Sequence, residues 1–260
     1  MKKNNVKREL STAIEAAVAA GTMIKSRLGR TGTIRYKGAI NIVTEVDEKS
    51  EAFIVGKLKK AFPDFGVLAE ESRPEKKGSG RWIIDPLDGT TNFAHGFPFF
   101  CVSIALELDG EVVLGVVYDP MHEELFTAVK GNGAHCNNKR INVSAVQDIG
   151  KAFLATGFSY AFKRATNNNL DHFRRFMMAA FAIRRAGAAA LDLCYVACGR
   201  FDGFWELDLK PWDTAAATLI IREAGGITTN FDAAPHSNYS RNLVASNGLL
   251  HKQMQAILKK

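Results

Sequence analysis

The segment Trp82-Ile83-Ile84-Asp85-Pro86-Leu87-Asp88-Gly89-Thr90-Thr91-Asn92-Phe93 constrains this chain more than any other, because an apolar run feeds straight into a cluster of acids and hydroxyls. Residues 82–84 have high strand propensity and polar neighbours on both sides. Pro86 lacks an N–H and fixes its own φ, so the strand is expected to stop beside Asp85. Asp85 and Asp88 then share a turn, close enough to hold one or two cations between them. Gly89 lets the backbone approach a ligand, and Thr90-Thr91 reads as the mouth of a helix, where free N–H groups and the positive dipole end favour a phosphate. Acids for cations beside a helix start for phosphate point to metal-assisted phosphoryl chemistry.

The rest of the chain reads as alternating helix and strand. Leu10, Ile14, Ala17, Val18, Gly21, Ile24 and Leu28 recur at helical spacing, which predicts a helix ending near Gly29. A second helix is expected over 46–61, stopping before Pro63. Strands are expected near 65–69, 82–84, 99–108, 111–118, 124–129 and 140–143, with Asp109-Gly110 as a hairpin turn and Asn137-Asn138 as another. The second half predicts strands at 152–156, 182–185, 203–207 and 243–245. Its helices fall at 170–180, 189–198 and 214–224, with a last one running to Leu258. With no repeat and no long linker, this pattern predicts layers of helix and sheet in one unit, residues 1–260, whose halves 1–147 and 148–260 share a site.

Composition removes several alternatives. The longest apolar stretches, 99–106 and 112–117, are strand-length and far short of a membrane span. The basic Met1-Lys2-Lys3 start runs into a segment with Glu9 and Glu15, which is not a secretory signal. Cys101, Cys136, Cys194 and Cys198 form no CxxC pair and read as reduced thiols of a cytoplasmic protein. No histidine stands at zinc-ligand spacing. The net charge of +7 comes without a basic stripe or nucleic-acid-binding motif, so it reads as solubility and attraction for anionic substrates rather than nucleic acid as primary ligand.

Four further acidic segments stand out. Glu70-Glu71-Ser72 follows the strand near Phe65, at the kind of strand end where open sheets place ligands, and equally reads as a solvated loop. Asp47, taken alone, reads as a cap of the second helix. Asp213, after Pro211-Trp212, reads alone as a first-turn acid. Glu206 is an acid in the apolar surroundings of Phe204 and Trp205.

Together these residues resemble the inositol monophosphatase family of lithium-sensitive, magnesium-dependent phosphatases. The resemblance runs from Lys37 to Asn247. It rests on Asp85-Pro86-Leu87-Asp88-Gly89-Thr90-Thr91-Asn92-Phe93, on Trp212-Asp213-Thr214-Ala215-Ala216 with Glu223-Ala224-Gly225-Gly226, on Val43-Thr44 with Asp47, and on Glu70-Glu71-Ser72, in that family's order. It implies a layered α–β–α–β–α sandwich of the type shared with fructose-1,6-bisphosphatase, often homodimeric. Two or three Mg²⁺ ions would be held by Glu70, Asp85, the Leu87 carbonyl, Asp88 and Asp213. Asp47 and Thr90, with Glu70, would activate water. Asp88, Gly89, Thr90, Gly187, Ala188, Ala189, Glu206 and Asp213 would contact substrate. The oxygen-only donor set suits Mg²⁺. Ala188 stands where the family has a hydroxyl residue and Ala69 where glycine is commoner, departures that bear on substrate choice. Relatives acting on fructose bisphosphate, nucleotides, NADP or histidinol phosphate share the Asp-Pro-x-Asp-Gly core, but Thr91-Asn92-Phe93 looks more like the inositol branch. A regulatory partner of RNA or a protein complex is the reading from another class.

Overall fold

The computed structural model describes residues 6–29, 34–37, 41–73, 78–159, 163, 165, 166 and 168–259. The elements run in the order α1 (Lys7–Arg27), β1 (Ile34–Lys37), β2 (Asn41–Thr44), α2 (Glu45–Ala61), β3 (Gly66–Ala69), β4 (Arg81–Asp88), α3 (Thr90–Ala94), β5 (Cys101–Leu108), β6 (Glu111–Asp119), β7 (Glu124–Val129), β8 (Ala134–Cys136) and β9 (Lys139–Arg140). They continue as β10 (Phe153–Thr156), α4 (Leu170–Ala179), β11 (Ala182–Arg184), α5 (Ala189–Ala197), β12 (Gly203–Leu207), α6 (Pro211–Glu223), β13 (Ile227–Thr229), β14 (Asn242–Ser246) and α7 (His251–Leu258).

A seven-stranded sheet has the order β3-β4-β5-β6-β7-β8-β9, and a five-stranded sheet the order β11-β10-β12-β14-β13. The alternation of side chains along each strand sorts the core into layers. In β4, Trp82 and Ile84 pack with α1 and α2 on the outer face, while Ile83 points to the other face, against α5 and α6. In β12, Phe204 joins that same α5–α6 layer, and Trp205 faces outward to Phe176 of α4 and Met254 of α7. The result is five layers: α1 and α2, the large sheet, α5 and α6, the small sheet, and α4 with α7. This is the α–β–α–β–α sandwich expected from the sequence. Among the described residues no helix is long and apolar enough to cross a membrane.

The Asp109-Gly110 hairpin is present, with both residues at positive φ, as a two-residue loop between twisted strands requires. Asn137 and Asn138 likewise turn at positive φ between β8 and β9. All four cysteines are free thiols. Three expectations need correction. β4 does not stop beside Asp85 but runs through Pro86 to Asp88. Asp85 pairs with Ser103 and Asp88 with Cys101, so one extra residue bulges out and Pro86 need not donate to the ladder. The strand expected over 140–143 is confined to β9, and Ile141 instead donates from its backbone to the Ala134 carbonyl. α6 begins at Pro211 rather than Thr214, since a proline suits a first helical turn.

Candidate active site

One face of α2 reaches three of the segments that build the site. Asp47, Ser50 and Glu51 fall at helical spacings of three and four, so they share that face. Asp47 Oδ2 accepts from the Thr44 backbone N–H at 2.9 Å and from Thr44 Oγ1 at 2.5 Å, which caps the helix. Its other oxygen, Oδ1, accepts from Thr90 Oγ1 at 2.8 Å. The cap and the site contact are thus two ends of one carboxylate. Ser50 Oγ donates to the Pro86 carbonyl at 2.9 Å, and Glu51 accepts from the Glu71 backbone N–H at 2.8 Å, beside Glu70.

The end of β4 supplies the acids. The bulge brings Asp85, Leu87 and Asp88 to one cavity, which Glu70 also lines at the end of β3. Asp85 Oδ1 accepts from the Leu87 N–H at 3.0 Å, and this short loop turns the Asp85 carboxylate back over the bulge. Gly89 adopts φ 93°. A side chain there would also lie 3.0 Å from the Phe99 carbonyl oxygen, so the turn into α3 requires glycine on both counts.

The second sheet closes the cavity. The Ala190 N–H at the start of α5 donates to Asp88 Oδ2 at 2.7 Å, pinning the β4 acid to the 187–190 segment. Asn92 Nδ2 donates to the Ala186 carbonyl at 2.8 Å, beside the same segment, and to the Phe99 carbonyl before β5 at 2.7 Å. Gly187, Ala188 and Ala189 line the cavity, as do Glu206 and Asp213. Asp213 accepts from the Lys210 N–H at 2.7 Å, so it also caps α6 as a first-turn acid would. The Glu206 carboxylate lies over Gly157, where any Cβ would come within 2.3 Å of both its oxygens.

Gathering these acids has an electrostatic consequence. Asp85 is buried, and burial, then Glu70, Asp88 and Asp213, holds its pKa well above the ordinary carboxylate range. Asp88 and Asp213 keep part of their surface open to the cavity, with protein packed around the rest. Burial pushes each up to about 7, against the opposing N–H bonds from Ala190 and Lys210 respectively. Burial, then Asp213 and Asp88, raises Glu206, while Arg185 pulls it down. Among the described residues no three acids, histidines or cysteines are already closed around a point that could hold a metal. The carboxylates instead stand around an open cavity. Their oxygen-only chemistry and mutual repulsion fit hard divalent cations.

Nearly all of the residues singled out from the sequence meet here: Glu70, Asp85, Leu87, Asp88, Gly89, Thr90, Gly187, Ala188, Ala189, Glu206 and Asp213 line the cavity. Asp47 does not line it and reaches it through Thr90. Of the adjacent Arg184 and Arg185, Arg185 lines the cavity, whereas Arg184 stacks over Phe153. Sequence reading missed Ser50, Glu51, Gly157 and Asp192. The first two share the Asp47 helix face, a signal that was available. Asp192 passes for a first-turn acid of α5.

Residues 5–260 match the family model described as the inositol monophosphatase family. The chain belongs to the inositol monophosphatase family. It is 42% identical over 252 residues to an inositol-1-monophosphatase of Synechocystis, covering 96% of this chain and 88% of the relative. It is 45% identical to the Nus factor SuhB of Vibrio cholerae, covering 92% and 91%. The solved structure of extragenic suppressor protein suhB from Bartonella henselae superposes with a TM-score of 0.93 at 41% identity, covering 98% of this chain and 99% of that one. The five-layer sandwich is therefore the fold of inositol monophosphatase family members.

In this family member the raised acids predict a pH dependence of stability. Unfolded aspartates titrate near ~4, so between that pH and about 7 the metal-free folded state binds more protons than the unfolded one. The stability from Asp88 and Asp213 is full below ~4 and is lost as pH rises through about 7. Metal-free protein should therefore melt at a lower temperature at about pH 8 than at about pH 5.5, and saturating Mg²⁺ should flatten the difference. Equal slopes with and without Mg²⁺ would separate these acids from any cation site.

Proposed function

We propose that this protein is a Mg²⁺-dependent phosphatase hydrolysing inositol-1-phosphate, or a related polyol phosphate monoester, by direct attack of water. The observation that carries the reading is the meeting of Glu70, Asp85, Asp88 and Asp213 in one cavity beside the Gly89–Thr90 turn. Glu70, Asp85, the Leu87 carbonyl, Asp88 and Asp213 would hold two or three Mg²⁺ ions, which when bound polarise the phosphoryl oxygens, lower the pKa of water and stabilise the leaving alkoxide. Thr90 Oγ1 donates its single proton to Asp47 Oδ1 at 2.8 Å or to the Leu87 carbonyl at 3.0 Å, leaving an oxygen lone pair to accept from the attacking water. The released proton passes to Asp47, whose burial raises its pKa and makes it a stronger base than an exposed aspartate. Glu70, at the cavity edge, shares in orienting that water. The Gly89 and Thr90 N–H groups receive the phosphate. The backbone at Gly187, Ala188 and Ala189, with Asp88, Glu206 and Asp213, faces the alcohol. No residue serves as a phosphoryl acceptor in this scheme.

The chain would act as one unit, residues 1–147 supplying most of the metal and phosphate site and residues 148–260 most of the substrate wall, in a cytoplasmic homodimer. The test is phosphate release with Mg²⁺ from a panel of inositol phosphates, sugar bisphosphates and nucleotides. Inositol-1-phosphate should give the highest kcat/KM, and a clear preference for a bisphosphate or nucleotide would move the assignment to another branch. Lithium should inhibit at millimolar concentrations or below, by competing for the position formed by Asp85, Asp88 and Asp213. Rates equal in lithium and potassium chloride would remove the inositol branch's characteristic response.

Relatives named Nus factor SuhB, together with the net charge of +7, support a second reading as a regulatory partner of RNA or a protein complex. That role does not need the carboxylate cluster. Salt-sensitive RNA binding retained by an Asp85→Asn variant would establish it.

A further inference from the structure

Glu70 and Asp85 reach the cavity from neighbouring strands. β3 runs parallel to β4, and the last pair of their ladder is Ala69 with Ile84, so Glu70 and Asp85 follow side by side. Beyond that pair the two chains part: β4 continues into its bulge, while residues 70–72 leave the sheet. The separation of the two carboxylates is therefore not fixed by the ladder. It depends on what holds each chain just past it, and the same face of α2 holds both. Ser50 Oγ donates to the Pro86 carbonyl at 2.9 Å, between Asp85 and Leu87. Glu51 Oε2 accepts from the Glu71 N–H at 2.8 Å, one residue past Glu70. Glu51 is 5% exposed and does not itself line the cavity. Its charge stands beside Glu70 and Glu71, an electrostatic cost that a residue needed only to fill this position would not carry. What it supplies is a fixed acceptor, because its helix is anchored on the same face through Asp47 and Ser50.

We infer that Glu51 is a positioning residue: through the Glu71 N–H it sets the separation of Glu70 from Asp85, and with it the affinity for the cation that those two carboxylates would share. The inference rests on the cation site proposed above and adds to it a residue that touches neither cation nor substrate. Groups that orient metal ligands from behind typically change metal affinity by about 10–100-fold when they are replaced.

The test separates reach from charge. Glu51→Asp keeps the charge but draws the acceptor back by one methylene, away from the Glu71 N–H. Glu51→Gln keeps the reach and an accepting oxygen without the charge. Calorimetric titration of Mg²⁺ into chelator-stripped protein should show half-saturation at about tenfold higher concentration or more for Glu51→Asp, and within about threefold of wild type for Glu51→Gln. Leu58→Val, in the core at the other end of α2, controls for lost stability alone and should bind Mg²⁺ as wild type does. With inositol-1-phosphate, Glu51→Asp should come within about twofold of the wild-type kcat once Mg²⁺ is saturating, because Glu51 touches no reacting group. Equal weakening by both Glu51 variants would make charge rather than position the cause. That result, unchanged binding by Glu51→Asp, or weakened binding by Leu58→Val as well, would overturn the assignment. Mg²⁺ binding without phosphate release in wild type would end the phosphatase reading alone, since the calorimetric contrast still decides Glu51. No Mg²⁺ binding by wild type would overturn both.

Discussion

Asp213→Asn should abolish turnover and at the same time raise the melting temperature of the metal-free protein. The carboxylate belongs to a group of acids that raise one another's pKa, Asp85 feeling Glu70, Asp88 and Asp213. Removing one charge relieves that repulsion in the absence of metal, yet takes a ligand from the proposed cation site. The amide can still accept from the Lys210 N–H, so the start of α6 should survive the change. The two effects therefore separate: stability without Mg²⁺ rises, whereas the stabilisation that Mg²⁺ confers shrinks. Melting curves with chelator and with Mg²⁺, beside phosphate release, read both. A variant with unchanged kcat and unchanged Mg²⁺ requirement would reduce Asp213 to a helix-start acid.

Gly115→Ala should destabilise the fold and weaken the site from a distance. Gly115 pairs with Ala105 of β5 and Ala128 of β7, so three small residues cross the large sheet side by side beneath α6. A Cβ at 115 would lie 2.6 Å from the Ala216 carbonyl oxygen and 3.0 Å from its Cα. Those atoms are helix backbone and cannot rotate away as a side chain would, so α6 must lift. Overpacking of this kind typically costs about 1–3 kcal/mol, and backbone contact puts this site at the upper end. Asp213 sits one turn before Ala216, so the apparent Mg²⁺ affinity should fall as well. Urea unfolding and Mg²⁺ titration measure the two effects. An unchanged urea midpoint would mean that the helix does not need this groove.

What the sequence discloses depends on how local the cause is. The strands expected over 99–108 and 111–118, with the hairpin announced by Asp109-Gly110, correspond to β5 and β6, so this part of the large sheet was legible. β8 and β13 were not, because three residues such as Ala134–Cys136 carry no alternation to read. The passage of β4 through Pro86 escaped because the rule against proline in a strand concerns the ladder, and a bulge removes the residue from the ladder. In the site, Asp85 and Asp88 lie in one short motif, but their meeting with Glu70 and Asp213 is a long-range result of the fold. Spacing alone left each of those two as a loop or cap acid, and only the family resemblance joined them. Asp47 shows why such alternatives need not compete: one oxygen caps α2 and the other receives the Thr90 hydroxyl. Asp192 carries no motif at all. Only the fold brings it to the cavity, from the first turn of α5.

The acid cluster is proposed to be a catalytic Mg²⁺ site. The most direct measurement is phosphate release from inositol-1-phosphate by protein stripped with chelator, followed as Mg²⁺ is added back. Release should be absent in chelator, return with Mg²⁺ in wild type, and fail to return in Asp213→Asn at any Mg²⁺ concentration. Full activity in the chelated, metal-free protein would contradict the claim.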